Sequence, residues 1–442
     1  MPLRFGTDGV RGVANVDLTP ELVLALGRAA ARVLPGKRFL IGRDTRQSGP
    51  MLESALAAGL ASEGVHVERL GVLPTPAVAW RSATDNVPAA VVSASHNPFA
   101  DNGVKLFAAG GRKLRDDVEE EIEAELDRLV SGGTATTTAD SRVGSIIDRA
   151  VGDEYERFIL STIDGSLDGM RVVVDCANGA ASHVAPELLR LAGAAVDVLH
   201  AAPDGTNINE GCGATHIESL QRRVVEIGAD VGLALDGDAD RVLAVDGRGR
   251  VVDGDHLIAI CALDMAARGR LTANAVVVTV MTNLGFRLAM DAAGIEVVET
   301  AVGDRYVLEA LDERGLSIGG EQSGHVIFRD IATTGDGLLT GLQLLDVVRR
   351  TGRSLADLAD GAMTSLPQVL KNVRVPGSAT TVIGAVAADV AAVEAELGGR
   401  GRVLLRPSGT EPLVRVMVEA PTAEEANAAA DRLCAAVATA AS

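Results

Sequence analysis

Residues 89–98 read Ala89-Ala90-Val91-Val92-Ser93-Ala94-Ser95-His96-Asn97-Pro98, an apolar strand that runs straight into a polar turn. A serine at the carboxyl end of a buried strand stands where open α/β sheets place their reactive groups, and Pro98 stiffens the turn by fixing its own φ. Ser95 is therefore the first candidate for chemistry, with a hairpin or strand-to-helix turn of small residues as the plain alternative. Outward from this stretch, strand and helix patterns alternate in the manner of parallel α/β sheets. Before it the pattern predicts a helix over 20–34, a strand over 38–42, a helix over 50–63 and a strand over 65–70. After it come an acidic helix over 116–130 and a low-complexity loop over 131–139.

A chain of 442 residues is too long for one hydrophobic core. The same order of strand, polar loop and helix recurs, with helices expected over 150–162 and 182–192 around strands 171–175 and 195–199, then helices over 255–268 and 284–293 around strands 275–280 and 295–298. From about residue 367 the character changes to a strand over 369–375, an Ala-rich helix over 380–396 and two further strands. The expected fold is α/β. Three similar mixed α/β domains, residues 1–149, 150–251 and 252–366, precede a smaller α+β domain, 367–442.

Asp236-Gly237-Asp238-Ala239-Asp240-Arg241 lies between the apolar runs Val231 to Leu235 and Val242 to Val245, on a loop joining two expected strands. Three carboxylates at alternate positions repel one another unless a cation neutralises them, and an all-oxygen set with room for water or a phosphoryl oxygen suits Mg²⁺. A calcium EF-hand is excluded, because counting from Asp236 puts Arg241 where its glycine belongs and Gly247 where its glutamate belongs. Arg406-Pro407-Ser408-Gly409-Thr410-Glu411-Pro412 joins strands expected over 402–405 and 413–418. Its hydroxyls, its glycine and Arg406 with Arg415 make a phosphate cradle, an ordinary surface turn being the alternative. In Gly320-Glu321-Gln322-Ser323-Gly324-His325, Glu321 and Ser323 alternate along an extended segment and so point to one side, where a carboxylate and a hydroxyl can hold adjacent sugar hydroxyls.

Ser93 to Pro98, Asp236 to Arg241, Gly320 to His325 and Arg406 to Pro412 stand in the order found in the α-D-phosphohexomutases, and the chain resembles that family from residue 4 to about residue 418. The opening Phe5-Gly6-Thr7-Asp8-Gly9-Val10-Arg11-Gly12, and Gln322 where mutases of unsubstituted hexoses often carry Met, resemble the branch that isomerises glucosamine phosphates for UDP-N-acetylglucosamine and cell-wall synthesis. One departure is Ala239, where many relatives have Gly. The resemblance implies phosphoryl exchange through phosphorylated Ser95, with Mg²⁺ held by Asp236, Asp238, Asp240 and a phosphoryl oxygen of that serine. It assigns catalytic parts to Lys105, His325 and Arg11, the first two in proton transfer. Substrate binding falls to Arg241, Arg305, Glu321, Ser323, Arg406, Ser408, Gly409, Thr410 and Arg415. It further implies a sugar 1,6-bisphosphate as activator and intermediate, and a cleft where the domains join. Two rivals are a mutase of mannose or glucose phosphates, with the same chemistry, and a non-catalytic sugar-phosphate-binding homologue, which predicts a damaged site whereas the serine, the acids and the phosphate loop are all present.

The formal charge of −19 opposes nucleic acid and anionic membranes as partners. Small sugar phosphates are the expected partners, and an oligomer is compatible with the sequence. An anionic substrate then needs local cations, for which Arg11, Arg43, Arg46, Arg241, Arg305, Arg406 and Arg415 are candidates. Only Lys37, Lys105, Lys113 and Lys371 are lysines among 41 basic residues, and an amine, unlike a guanidinium, can give up a proton. No apolar run is long enough to span a membrane, and Arg4, Asp8 and Arg11 stand where a signal peptide needs an apolar core, so a cytoplasmic protein is expected. Cys176, Cys212, Cys261 and Cys434 lack paired metal spacing and read as reduced thiols. No P-loop ends at Gly36-Lys37 and no Gly-x-Ser-x-Gly surrounds Ser95, so nucleotide hydrolysis and α/β-hydrolase chemistry lose their main sequence support. The Gly- and Asn-rich stretch Pro203 to His216 is expected to be a structural loop, with ligand contact as the lesser alternative.

Overall fold

The computed structural model describes residues 5–6, 9–132, 143–408 and 412–441. They form two compact units, one of residues 1–281 and 296–360, the other of 282–295 and 361–442. The first unit carries three sheets in chain order and the second a fourth.

The first sheet runs Val10–Val13, Asp101–Ala108, Ala89–Val92, Arg38–Arg43, His66–Val72 and Ile146–Asp148 across its width. Ala89–Val92 is wholly buried and parallel to Arg38–Arg43. It does not feed a helix, as a purely parallel sheet would require. After the serine turn the chain reverses into Asp101–Ala108, which pairs antiparallel with it, Val92 opposite Val104. The sheet is mixed because that return strand is itself buried on both sides, between Val10–Val13 and Ala89–Val92. Gly103 permits the close approach, since a Cβ there would stand 2.7 Å from the Ser93 carbonyl. Helix Pro20–Val33 begins where Thr19 Oγ1 accepts from Leu22 N at 3.4 Å, with proline in the first turn. It packs backbone to backbone on helix Gly49–Ser62: a Cβ on Gly27 would lie 2.5 Å from the Leu56 carbonyl.

In the second sheet Val231–Leu235 is parallel to Arg171–Asp175 and antiparallel to Val242–Asp246, with Leu235 opposite Val242. The Asp236 to Arg241 loop is thus a hairpin loop closing two buried strands, as its apolar flanks demand. The third sheet orders Glu296–Thr300, Ala275–Thr279, Ile318–Gly320 and Val326–Phe328. Helices Thr75–Asp85, Glu218–Ile227, Asp304–Arg314, Gly337–Thr351 and Ala423–Ala440 exceed the sequence expectation. Gly337–Thr351 is buried around most of its circumference and so lacks the polar face that marks an amphipathic helix.

The second unit holds the antiparallel sheet Gln368–Arg374, Leu413–Glu419 and Arg402–Pro407. The expected single helix over 380–396 is two, Ala379–Ala385 and Ala387–Leu397, broken at Val386 with φ −97° and ψ 11°. Helix Leu284–Ala292 belongs to this unit, its first turn held by Asn283 and Glu419. Among the described residues no helix is long and apolar enough to cross a membrane.

Candidate active site

Ser95 stands at the reversal between Ala89–Val92 and Asp101–Ala108 with φ +50°, a left-handed value that costs a residue with a Cβ about 1–2 kcal/mol. Its backbone N–H donates to Ser93 Oγ at 2.9 Å, and that hydroxyl donates to Asp44 Oδ2 at 2.7 Å. Its own Oγ donates to Asp236 Oδ2 at 2.6 Å and lies 3.2 Å from His96 Nδ1.

The three acids of the hairpin loop are buried. Thr75 Oγ1 donates to Asp238 Oδ2 at 2.6 Å, and Lys105 Nζ reaches Asp238 Oδ2 at 2.8 Å and Asp240 Oδ2 at 3.1 Å. Burial, then the neighbouring Asp240 and Asp238, push the Asp236 carboxyl well above the usual range. Burial acts the same way on Asp240, but Lys105 and His325 outweigh it and hold that carboxyl well below. Ligand oxygens of the three acids lie within 4.8 Å of one another. Asp238 Oδ1 and Asp240 Oδ1 are buried without a hydrogen bond. An all-carboxylate set in which Asp238 Oδ1 has no hydrogen bond fits a hard divalent cation. Asp175, His200 and Cys212 also cluster, but Asp175 is already satisfied by Ala177 N, Gly213 N and His200 Nδ1, and burial pushes the Cys212 thiol up to about 12.

A cavity of about 500 Å³ adjoins these loops, lined among others by Arg11, His96, Asp240, Arg241, Glu321 and His325. Burial, then Arg241 and Arg11, keep the His96 imidazole below its usual value. His325 Nδ1 lies 3.6 Å from Asp240 Oδ1 and its Nε2 3.3 Å from Asp304 Oδ2. Burial disfavours its charge, but Asp240 outweighs this and raises it. Glu321 also lines the cavity and accepts from Gly303 N at 3.1 Å.

Two expected contributors stand elsewhere. Glu321 and Ser323 do not alternate along a strand: Gly324 N returns to the Glu321 carbonyl at 3.0 Å, making a tight turn between Ile318–Gly320 and Val326–Phe328 that leaves Ser323 exposed and outside the cavity wall. Arg305 is turned onto Asp116 and both carboxylate oxygens of Glu119, the latter at 2.8 Å, and does not line the cavity. Its neighbour Asp304, unmarked in the sequence, takes that place and pairs with Lys113. Arg46, expected as a free cation, is fully buried. Asn209, from the stretch expected to be a mere structural loop, donates to the Ser95 and Asn97 carbonyls.

In the second unit Arg406 and Arg415 lie opposite each other on paired strands, and Arg415 Nη2 reaches Ser408 Oγ at 3.5 Å. Burial, then Arg415, lower the Arg406 pKa, so an anion between the two would relieve both. Gly409 and Thr410 lie outside the described residues.

Models of the phosphoglucomutase/phosphomannomutase family match throughout: α/β/α domain I at residues 2–131, domain II at 153–249, domain III at 253–366 and the C-terminal domain at 370–436. The chain belongs to this family, three α/β domains with a C-terminal domain, and is an isomerase of the phosphosugar-mutase class. Within that class it is similar to curated phosphoglucosamine mutases. That of Rhodococcus jostii is 56% identical over 98% of this chain and 99% of the relative, and that of Thermobifida fusca 56% identical over 97% and 96%. A phosphoglucomutase/phosphomannomutase family protein of Burkholderia thailandensis superposes with TM-score 0.81 at 25% identity, covering 98% of this chain and 97% of the other. Aspergillus fumigatus N-acetylphosphoglucosamine mutase, solved with GlcNAc-6P and magnesium, shares the fold with TM-score 0.69 at 19% identity, over 100% of this chain and 96% of the other.

Proposed function

We propose that the chain interconverts glucosamine 6-phosphate and glucosamine 1-phosphate through a phosphoserine at residue 95 and a 1,6-bisphosphate intermediate. The observation that carries this is Ser95 Oγ hydrogen-bonded at 2.6 Å to the first of three clustered acids. The identity of 54–57% to phosphoglucosamine mutases supports the amino sugar over glucose or mannose. A sugar 1,6-bisphosphate phosphorylates Ser95 at the outset.

In the forward step the free hydroxyl of the sugar attacks the phosphorus on Ser95. The sugar O–P bond forms as the Ser95 Oγ–P bond breaks, the hydroxyl proton passes to the protein, and Ser95 Oγ leaves as an alkoxide that takes a proton back. Lys105 and His325 handle these protons. Asp236, Asp238 and Asp240 would hold Mg²⁺, which when bound offsets charge on the transferred phosphoryl group. Arg11 and Arg241 counter the anionic substrate in the cavity, where Glu321 accepts from its ring hydroxyls, with Ser323 and Arg305 as the further contacts the family resemblance suggests. Arg406, Ser408, Gly409, Thr410 and Arg415 take the phosphate that is not reacting. The bisphosphate then reverses, and its other phosphate returns to Ser95. Domain limits of 1–149, 150–251, 252–366 and 367–442 and a cytoplasmic setting complete the proposal.

Turnover of glucosamine, glucose and mannose phosphates by the purified protein, compared as kcat/KM, tests it. The amino sugar is expected to lead, and a preference for mannose or glucose phosphate would overturn the assignment.

A further inference from the structure

Arg46 has no solvent exposure, and its guanidinium uses all five of its N–H donors inside the protein. Nε donates to Asp44 Oδ2 at 2.8 Å, one terminal nitrogen to the Ser95 and Asn97 carbonyls at 2.9 and 2.8 Å, and the other to the Asp101 carbonyl at 2.9 Å and the Pro98 carbonyl. Four of the five acceptors are main-chain carbonyls of the serine turn. Asn209 adds two bonds from its amide, at 2.9 Å to the Ser95 carbonyl and 3.1 Å to that of Asn97. The Ser95 carbonyl therefore takes two donors, while its N–H is held by Ser93 Oγ. Both backbone ends of a strained residue are thus fixed, with its hydroxyl aimed at Asp236.

The acid loop rests on the same clamp. A Cβ on Gly237 would lie 2.5 Å from the Ser95 carbonyl and 2.8 Å from Asn209 Nδ2. Asn209 thus bonds the loop of the serine while the acid loop packs close against it at Gly237, leaving no room there for a side chain.

We infer that Arg46 and Asn209 are positioning residues that fix where Ser95 presents its Oγ to the three acids, so that the phosphoryl group leaves from and returns to one place in each cycle. This rests on Ser95 being the phosphoryl carrier. Neither residue contacts substrate in this role. They act on rate through geometry, where a displacement of about 1 Å can cost on the order of 100-fold.

Arg46→Lys is the direct variant, cutting five donors to three, and it threatens folding. Asn209→Asp and Asn209→Gly both accept the φ of +59° found at residue 209 and each removes the amide donors, and circular dichroism of each variant checks that it is folded. The proteins are phosphorylated with radiolabelled glucose 1,6-bisphosphate, and the transfer of label from Ser95 to the sugar on adding glucosamine 6-phosphate is followed in a single turnover. The expected result is a rate constant lowered roughly 10- to 100-fold in both Asn209 variants, with KM for glucosamine 6-phosphate changed by less than about twofold. A merely structural role would lower the amplitude, which counts folded molecules, and leave the rate constant alone. Wild-type rate constants in both variants would overturn the inference. Wild-type protein that never acquires phosphate on Ser95 would instead overturn the carrier reading, and this inference with it.

Discussion

Replacing Lys105 with methionine should make the stability of the first unit depend on a divalent cation. The ammonium is 4% exposed and bridges Asp238 and Asp240 at 2.8 and 3.1 Å. Removing one partner of a buried ion pair costs roughly 3–5 kcal/mol, because the remaining charge stays buried. Coulomb's law agrees, at about 4 kcal/mol for unit charges about 4 Å apart at an effective dielectric constant near 20. The thioether side chain keeps the packing volume and removes the charge. In EDTA the variant should therefore lose roughly 3–5 kcal/mol. Mg²⁺ bound by the same acids should return most of that loss, because a ligand that binds only the folded state stabilises it by mass action. Without a competing ammonium the variant should also need at least about tenfold less Mg²⁺, a difference of about 1.4 kcal/mol. Trp80, the single tryptophan, is a suitable probe: it lies on helix Thr75–Asp85, whose first residue bonds Asp238, and stacks on Phe158 at 5.3 Å. Urea unfolding followed by its fluorescence, with EDTA and with Mg²⁺, gives the two increments. Equal Mg²⁺ increments in wild type and Lys105→Met would refute the placing of a cation on these acids.

Ser95→Ala should abolish phosphoserine formation from glucose 1,6-bisphosphate and lower mutase turnover by at least roughly 10³-fold while the protein stays folded, since alanine meets the same left-handed backbone; near-native activity removes Ser95 as carrier. Arg415→Ala, and to a similar degree Ser408→Ala, should raise KM for glucosamine 6-phosphate and glucosamine 1-phosphate together, through loss of a charge-assisted contact worth about 1.5–3 kcal/mol; an effect in one direction only rules out a shared cradle. Asp336 accepts from Tyr155 Oη at 2.7 Å and from Leu339 N at 2.9 Å, and burial lifts its carboxyl to about 6. Its raised pKa means the folded state holds the proton more tightly, so its contribution is full below about pH 4 and lost as pH rises to about 6. Asp336→Asn should therefore gain about 2 kcal/mol relative to wild type between about pH 4.5 and 7, read from urea midpoints, and an unchanged difference between the two proteins refutes the shift.

The acid loop is legible in the sequence because its signal is local: three acids at alternate positions between two apolar runs leave few other readings. The serine strand is legible for the same reason. Arg46 escapes such a reading because a buried arginine whose partners are main-chain carbonyls has no sequence signature, since every residue offers a carbonyl. Asn209 is hidden in the same way. Arg305 is drawn from the cavity by its pairing with Asp116 and Glu119, the latter 186 residues earlier in the chain. The expected alternation of Glu321 and Ser323 along an extended segment fails on backbone shape, since Gly324 adopts φ +88° and turns the segment back on itself, while Glu321 still lines the cavity. Strand Asp101–Ala108 is masked because Gly103 and Lys105 interrupt its apolar run, and both are present for local reasons, close approach at one and ion pairing with the acids at the other.

The bonds at the acids also bear on why such a site would call for a cation at one stage of a cycle more than another. With Ser95 unmodified, Asp236 receives the serine hydroxyl, Asp238 the Thr75 hydroxyl, and Lys105 is shared between Asp238 and Asp240. Each acid thus has a donor from the segment 75–105, which lies 133 to 163 residues away in the chain. Phosphorylation of Ser95 removes the hydroxyl hydrogen that Asp236 accepts and sets about −1.5 to −2 of charge beside it. The hydrogen bond between serine and acid becomes one of anion against anion in a buried place, where such repulsion is least screened. Lys105 supplies a single positive charge and is already committed to two acids. On the phosphoserine reading, the phosphoryl group therefore adds to the demand for a divalent cation that the three acids already make, and that demand rises where the group must be held and then released.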